Sequence, residues 1–286
     1  MTTGNKWLVG CGTGCGVVIL LAVGLVVFGW SYIRDFRTDI QASQQSQARL
    51  DARLGGMDAY TPPLDGRVPP DRLEVFLAVR AQLQPRYATM TEHLSGFPRA
   101  DEGPIRMGAM EQLNVATGVG GFFRDLGSYL QWRNETLLEH EMGLGEYFYI
   151  HTLVYHGWLR HDPIDGPESL YGLEHQDGVN IQFFDDDSNF GRSGSWRRYH
   201  ATVRRMLGRQ LAAAETDPEG VPQEWIDALA AELAALESDP GRRPWDDGLP
   251  AQITEPLEPY REKLDATYCP VTNVFDIHDA EGFPSD

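Results

Sequence analysis

No residue between Trp7 and Ile33 carries a charge, and this stretch limits the chain's possible forms more than any other feature. A helix crossing the hydrocarbon core of a bilayer needs ~20 apolar residues. The run V-V-I-L-L-A-V-G-L-V-V-F at 17–28 supplies the most apolar part, and Trp7, Trp30 and Tyr32 lie at its ends, where amphipathic rings favour the headgroup region. Residues 7–30 therefore predict a single-pass membrane anchor. A cleaved signal peptide fits less well. Its basic segment would hold only Lys6, its apolar stretch would be long, and Val27-Phe28-Gly29 is a poor cleavage site.

Gly10, Gly12, Gly14 and Gly16 alternate at the start of this segment. The spacing is not that of a phosphate-cradling loop, and no strand precedes it. Gly10 and Gly14, like Gly12 and Gly16, are four apart, so they form a small-residue face for helix association in lipid. Lys6 precedes the span and Arg34 and Arg37 follow it, which leaves the nearby charge balance close to even, while Arg49 and Arg53 further on tip the wider window toward a cytoplasmic domain. A six-residue tail before the span and a large domain behind it match a signal anchor whose soluble domain is extracytoplasmic.

Beyond the anchor the chain divides into a juxtamembrane stalk helix and Pro-rich linker over 31–70 and a soluble domain over 71–286. Ile33, Phe36 and Ile40 share one face of an otherwise polar, Gln-rich segment that predicts a solvated stalk ending at Gly55-Gly56. The four prolines between Tyr60 and Pro70 exclude a helix there. The soluble part predicts a mostly α domain, with room for one minor strand at Val179–Phe184. Expected helices are Asp71–Leu94, kinked or split by Pro85; Ile105–Met142, ended by Gly143; Glu146–Leu159, rich in aromatics; Trp196–Ala214; Pro222–Leu236; and Pro256–Tyr268. Arg80 interrupts the apolar face of the first, and the tail from Pro270 reads as irregular.

Charge excludes one class of partner. The formal net charge is −18 and the sequence pI about 4.8, a field that repels nucleic acid. Of three cysteines only Cys269 belongs to the soluble part, so no internal disulfide forms there, and a lone buried thiol is expected.

Three constellations carry candidate chemistry. His140, His151, His156 and His161 cluster with Glu139 and Glu141. His140-Glu141 lacks the second histidine of a zincin helix, and no Glu-x-x-His pair exists for a bundle metal site. On an α-helix His151 and His156 would lie about 140° apart, too far round to share a ligand. His151 is expected as a hydrogen-bonded core residue, with His140, His151, His156 and Glu139 kept as candidates for a metal site built across helices. Asp185, Asp187 and Asn189 alternate like calcium ligands, but Phe190 and Trp196 stand where an EF-hand needs Gly and Glu. Arg197, Arg198, Arg204 and Arg205 crowd one helix of an acidic chain, either pairing with neighbouring acidic helices or forming a docking patch for an acidic partner. Asn134-Glu-Thr136 matches a glycosylation acceptor inside a helical pattern. No nucleophile elbow, P-loop, C-x-x-C or haem-attachment motif occurs.

The expectation is an anchored helical interaction or scaffolding module of the cell envelope, non-enzymatic and without a cofactor, with a protein partner and possible self-association through the glycine face. The alternative is an enzyme or metal-binding protein whose His/carboxylate site is assembled across helices.

Overall fold

The computed structural model describes residues 38–95, 125–166 and 192–276. The anchor, the glycine face, the strand expected at Val179–Phe184, the Asp185/Asp187/Asn189 loop and the tail beyond 276 lie outside the described residues. Among the described residues the chain is mostly helical and has no strand, and no helix is long and apolar enough to cross a membrane.

Helix α1 covers 38–54 and is followed by α2 (Pro70–Ser95), α3 (125–139) and α4 (Leu144–His151). Helix α4 runs straight into a seven-residue π-helical segment, Thr152–Trp158. Then come α5 (Arg192–Thr216), α6 (Gln223–Ser238), the single turn α7 (Ala251–Thr254), a 3-10 turn Glu255–Tyr260, α8 (Arg261–Ala266) and α9 (Pro270–Asp276). The core is one cluster fed by α1 to α6 and by the C-terminal turns, with Phe76, Leu83, Tyr147, Leu153, Tyr199, Trp225 and Leu264 all at most 2% exposed.

The apolar spacing predicts α2 almost to the residue. Pro85 does not split it. Pro85 is exposed, so the backbone carbonyl left without a donor one turn earlier lies toward water. Helix α3 stops before Gly143. Glu141 takes the left-handed conformation at φ 52°, and the Met142 N–H closes back onto the Leu137 carbonyl at 2.9 Å, a Schellman ending built without glycine.

Helix α1 is not a solvated stalk over its described part. Ser43 and Ser46 are fully buried, and Ile40, Gln47 and Leu50 are at most 5% exposed. The helix closes on α3 at Gly127, where an added Cβ would stand 2.7 Å from Cβ of Asp39. The Pro-rich segment after it is a strap rather than a free linker. The Pro63 carbonyl accepts from Gln210 Nε2 at 2.7 Å, and the Gly66 carbonyl accepts from the Tyr149 hydroxyl at 2.8 Å. Gly66 sits at φ +76° against the face of Trp225, with room for no side chain. The segment expected to be irregular after Pro270 begins with helix α9, whose inner face is buried.

Candidate functional site

The aromatic helix places its polar groups inward. Phe148 and Tyr149 follow the ordinary helical period, but after His151 the backbone widens, and the Leu159 N–H bonds the Val154 carbonyl, five residues back, at 2.8 Å. Five-residue hydrogen bonding widens the turn, which brings positions i and i+5 much nearer to one another around the axis than on an α-helix. His151 and His156 consequently share a face, with ring centroids 5.2 Å apart. The 140° separation expected on an α-helix is thus corrected, because it rests on a 3.6-residue period that the chain abandons here.

His156 is held at both nitrogens. Asn273 donates its amide to the Asp162 and Pro163 carbonyls at 3.1 and 2.9 Å, which turns its Oδ1 toward His156 Nε2 at 3.1 Å. Nε2 must carry the hydrogen, so Nδ1 accepts from the Tyr199 hydroxyl at 2.8 Å. Burial pulls this imidazole's pKa down to about 3 against the raising effect of the Asn273 bond, so the ring is neutral near pH 7. His151 differs. It is fully buried and neither ring nitrogen has a hydrogen-bond partner. Burial, followed by electrostatic interaction with the His156 ring and the Arg80 guanidinium, holds its pKa well below the ordinary value. The expectation of a core histidine stands, but not that of a hydrogen-bonded one.

Beside His151 lies a buried ion pair. Arg80 on α2 donates through Nη1 to Asp276 Oδ2 on α9 at 2.7 Å, and both side chains are fully buried. Arg80 also donates to the Thr267 carbonyl, at 2.7 Å from Nη2, and to the Tyr147 hydroxyl at 2.8 Å. Its guanidinium lies over the rings of Tyr87 and Tyr155, at 4.8 and 5.3 Å. The other Asp276 oxygen, Oδ1, accepts from the hydroxyls of Tyr129 and Tyr147. Thr272 Oγ1 donates to Oδ2 at 3.0 Å. His151 Nε2 stands 3.9 Å from Oδ2. Burial opposes the Arg80 charge, but Tyr147, Tyr87 and Asp276 together hold its pKa well above the ordinary value.

The network continues to α1. Arg133 on α3 donates to the Phe275 and Asp276 carbonyls at 2.7 and 3.1 Å and to Asn134 Oδ1. Asn134 Nδ2 in turn donates to the Ser43 carbonyl and to Ser46 Oγ, at 3.3 and 3.2 Å. Arg133 and Asn134 are fully buried, so the glycosylation match at Asn134 is the side chain of a core residue. Five helices, α1, α2, α3, α4 and α9, are thereby tied through one polar centre.

The remaining candidates scatter. Glu139 ends α3 and His140 lies in the turn that follows, and both pair with Gln82 at 3.0 Å. His161 stacks on Tyr268 at 3.8 Å. Among the described residues no three of His, Cys, Asp and Glu gather as a metal-binding group. Cys269 is a buried free thiol whose pKa burial pushes up. On α5, Arg204 pairs with Glu237 at 3.0 Å and Arg205 with Asp58 at 3.3 Å, all four side chains well exposed, while Arg197 is exposed to solvent and Arg198 half-buried. An apolar crevice between α4 and α5 is lined by Phe148, Leu153, Val203, Met206, Leu207 and Trp245. No residue of the polar centre lines it.

Sequence reasoning did not find Arg80, Arg133 and Asp276. Only Arg80 leaves a trace, as a charge on an otherwise apolar helix face. No family model, curated protein or solved structure matches the chain.

Proposed function

We propose that the protein is a membrane-anchored helical interaction module of the cell envelope, held by residues 7–30 with its domain on the extracytoplasmic side. One observation carries the reading. The titratable groups Asp276, His151 and Tyr147, together with the permanently charged Arg80, are fully buried in a centre that joins five helices. Such a centre fixes the relative placement of helices, which is what a module that presents a surface requires. The exposed α5 face at Arg197 and Arg205 is the docking candidate for an acidic partner. The Arg204 and Arg205 pairs are exposed, worth ~0–1 kcal/mol, and easily exchanged for a partner's carboxylates. A photo-crosslinking side chain at position 197 in intact cells is expected to give one discrete adduct, lost when Arg205 is changed to Glu. A protein released by alkaline carbonate, or no adduct from either position 197 or 205, opposes the reading.

A second reading has its own observation. His151 and His156 share a face through the π segment, and both His151 nitrogens lack hydrogen bonds, which suits a metal-binding or catalytic centre assembled across helices. It is weaker because His156 has both nitrogens engaged and Asp276 is committed to Arg80.

A further inference from the structure

The surroundings of Asp276 are those of a bound carboxylate. Each oxygen meets two donors: Tyr129 and Tyr147 at Oδ1, Arg80 and Thr272 at Oδ2. Three of the four donors come from elements other than α9, namely α2, α3 and α4, and the chain separates Arg80 from Asp276 by 196 positions. A guanidinium and phenol hydroxyls converging on two oxygens is the arrangement by which proteins recognise a carboxylate ligand. The side chain that fills it belongs to a seven-residue helix joined to α8 by a short connection, 267–269.

We propose that Arg80, Tyr129 and Tyr147 form a carboxylate-binding cradle that Asp276 occupies in cis, so that a small free carboxylate takes the place of this side chain once it is truncated. The ligand class follows from the donors. Nothing around the two oxygens requires a hydrogen from the ligand, so a neutral amide of the same shape is a poor occupant. Truncation of Asp276 to alanine removes one carbon and two oxygens, the heavy atoms of formate, and leaves their donors in place. His151 stands 3.9 Å from Oδ2 and stays neutral near pH 7, as do the Tyr129 and Tyr147 hydroxyls, whose pKa values burial pushes up, so none of them offers a competing charge.

The test uses the full chain in detergent micelles, with unfolding followed by tryptophan fluorescence. Asp276→Ala is expected to lower the melting midpoint, and sodium formate to raise it again relative to sodium chloride at equal ionic strength and pH. At ten times its dissociation constant formate should raise the folded-to-unfolded ratio about tenfold. The unmodified protein and Arg80→Met/Asp276→Ala are expected to show no formate-specific rise. A folded Asp276→Ala protein with the same midpoint in formate and chloride overturns the proposal. Should Asp276→Ala give no folded protein in either salt, Asp276→Asn decides. Removing the uncompensated cation in Arg80→Met/Asp276→Asn is expected to raise the midpoint above that of Asp276→Asn alone, and an equal or lower midpoint overturns the cradle.

Discussion

Replacing His156 by glutamine tests how the polar centre responds to acid. In the folded chain this imidazole has its pKa pulled to about 3 from an ordinary 6.5, because burial penalises its charged form. Between those values the unfolded chain holds a proton that the folded chain does not. The contribution is therefore complete above pH 6.5 and is lost as pH falls toward 3, at about 1.4 kcal/mol per pH unit. From pH 7.5 to 5.0 the loss from this one group is about 2 kcal/mol. His156→Gln costs about 1–3 kcal/mol at pH 7.5, because the Tyr199 hydroxyl and Asn273 Oδ1 cannot both keep a partner. Glutamine does not titrate, so the difference between the two proteins should shrink by about 2 kcal/mol at pH 5.0. Guanidinium unfolding of the full chain in micelles at both pH values measures this directly. A difference that stays the same, or widens, refutes the neutral, buried His156.

Other substitutions test the packing. Gly66→Ala places a Cβ about 2.3 Å from the Trp225 ring at φ +76°, and a loss of more than ~2 kcal/mol is expected by denaturant unfolding. Gly127→Val pushes α3 off Asp39 and should raise hydrogen exchange over 38–54 while leaving α6 protected. Asp58→Ala breaks the exposed pairs to Arg205 and Arg209 and should change stability by no more than about 1 kcal/mol, which a melting curve at moderate salt will check.

The helices that follow a regular apolar period were legible in the sequence. Leu73, Phe76, Leu83 and Tyr87 mark α2, and Leu229 and Leu236 mark α6, because burial on one side leaves a 3.6-residue trace. The centre was not legible, for two physical reasons. The π segment changes the period locally, so His151 and His156 meet at a spacing that an α-helix forbids. The partners of Arg80 and Arg133 lie at Thr267 and Asp276, far along the chain, and no local pattern links them. Helix α1 was misjudged for a related reason. Ser43, Ser46 and Gln47 look like a wet surface, yet Asn134 bonds the Ser43 carbonyl and Ser46, and Gly127 lets α3 approach. Buried polar residues that satisfy one another across helices are indistinguishable from exposed ones in a single sequence.

Metal content tests most directly whether the polar centre ties helices together or holds a reactive site. The account predicts that the full chain, purified in detergent, exposed to zinc, iron or manganese and dialysed, retains no stoichiometric metal. Asp276 is committed to Arg80 and its neighbouring hydroxyls, and His156 to Tyr199 and Asn273. His151→Leu should then fold with a similar midpoint whether or not metal is present. Stoichiometric zinc, iron or manganese that is lost in a folded His151→Leu protein would contradict the account and establish a metal centre instead.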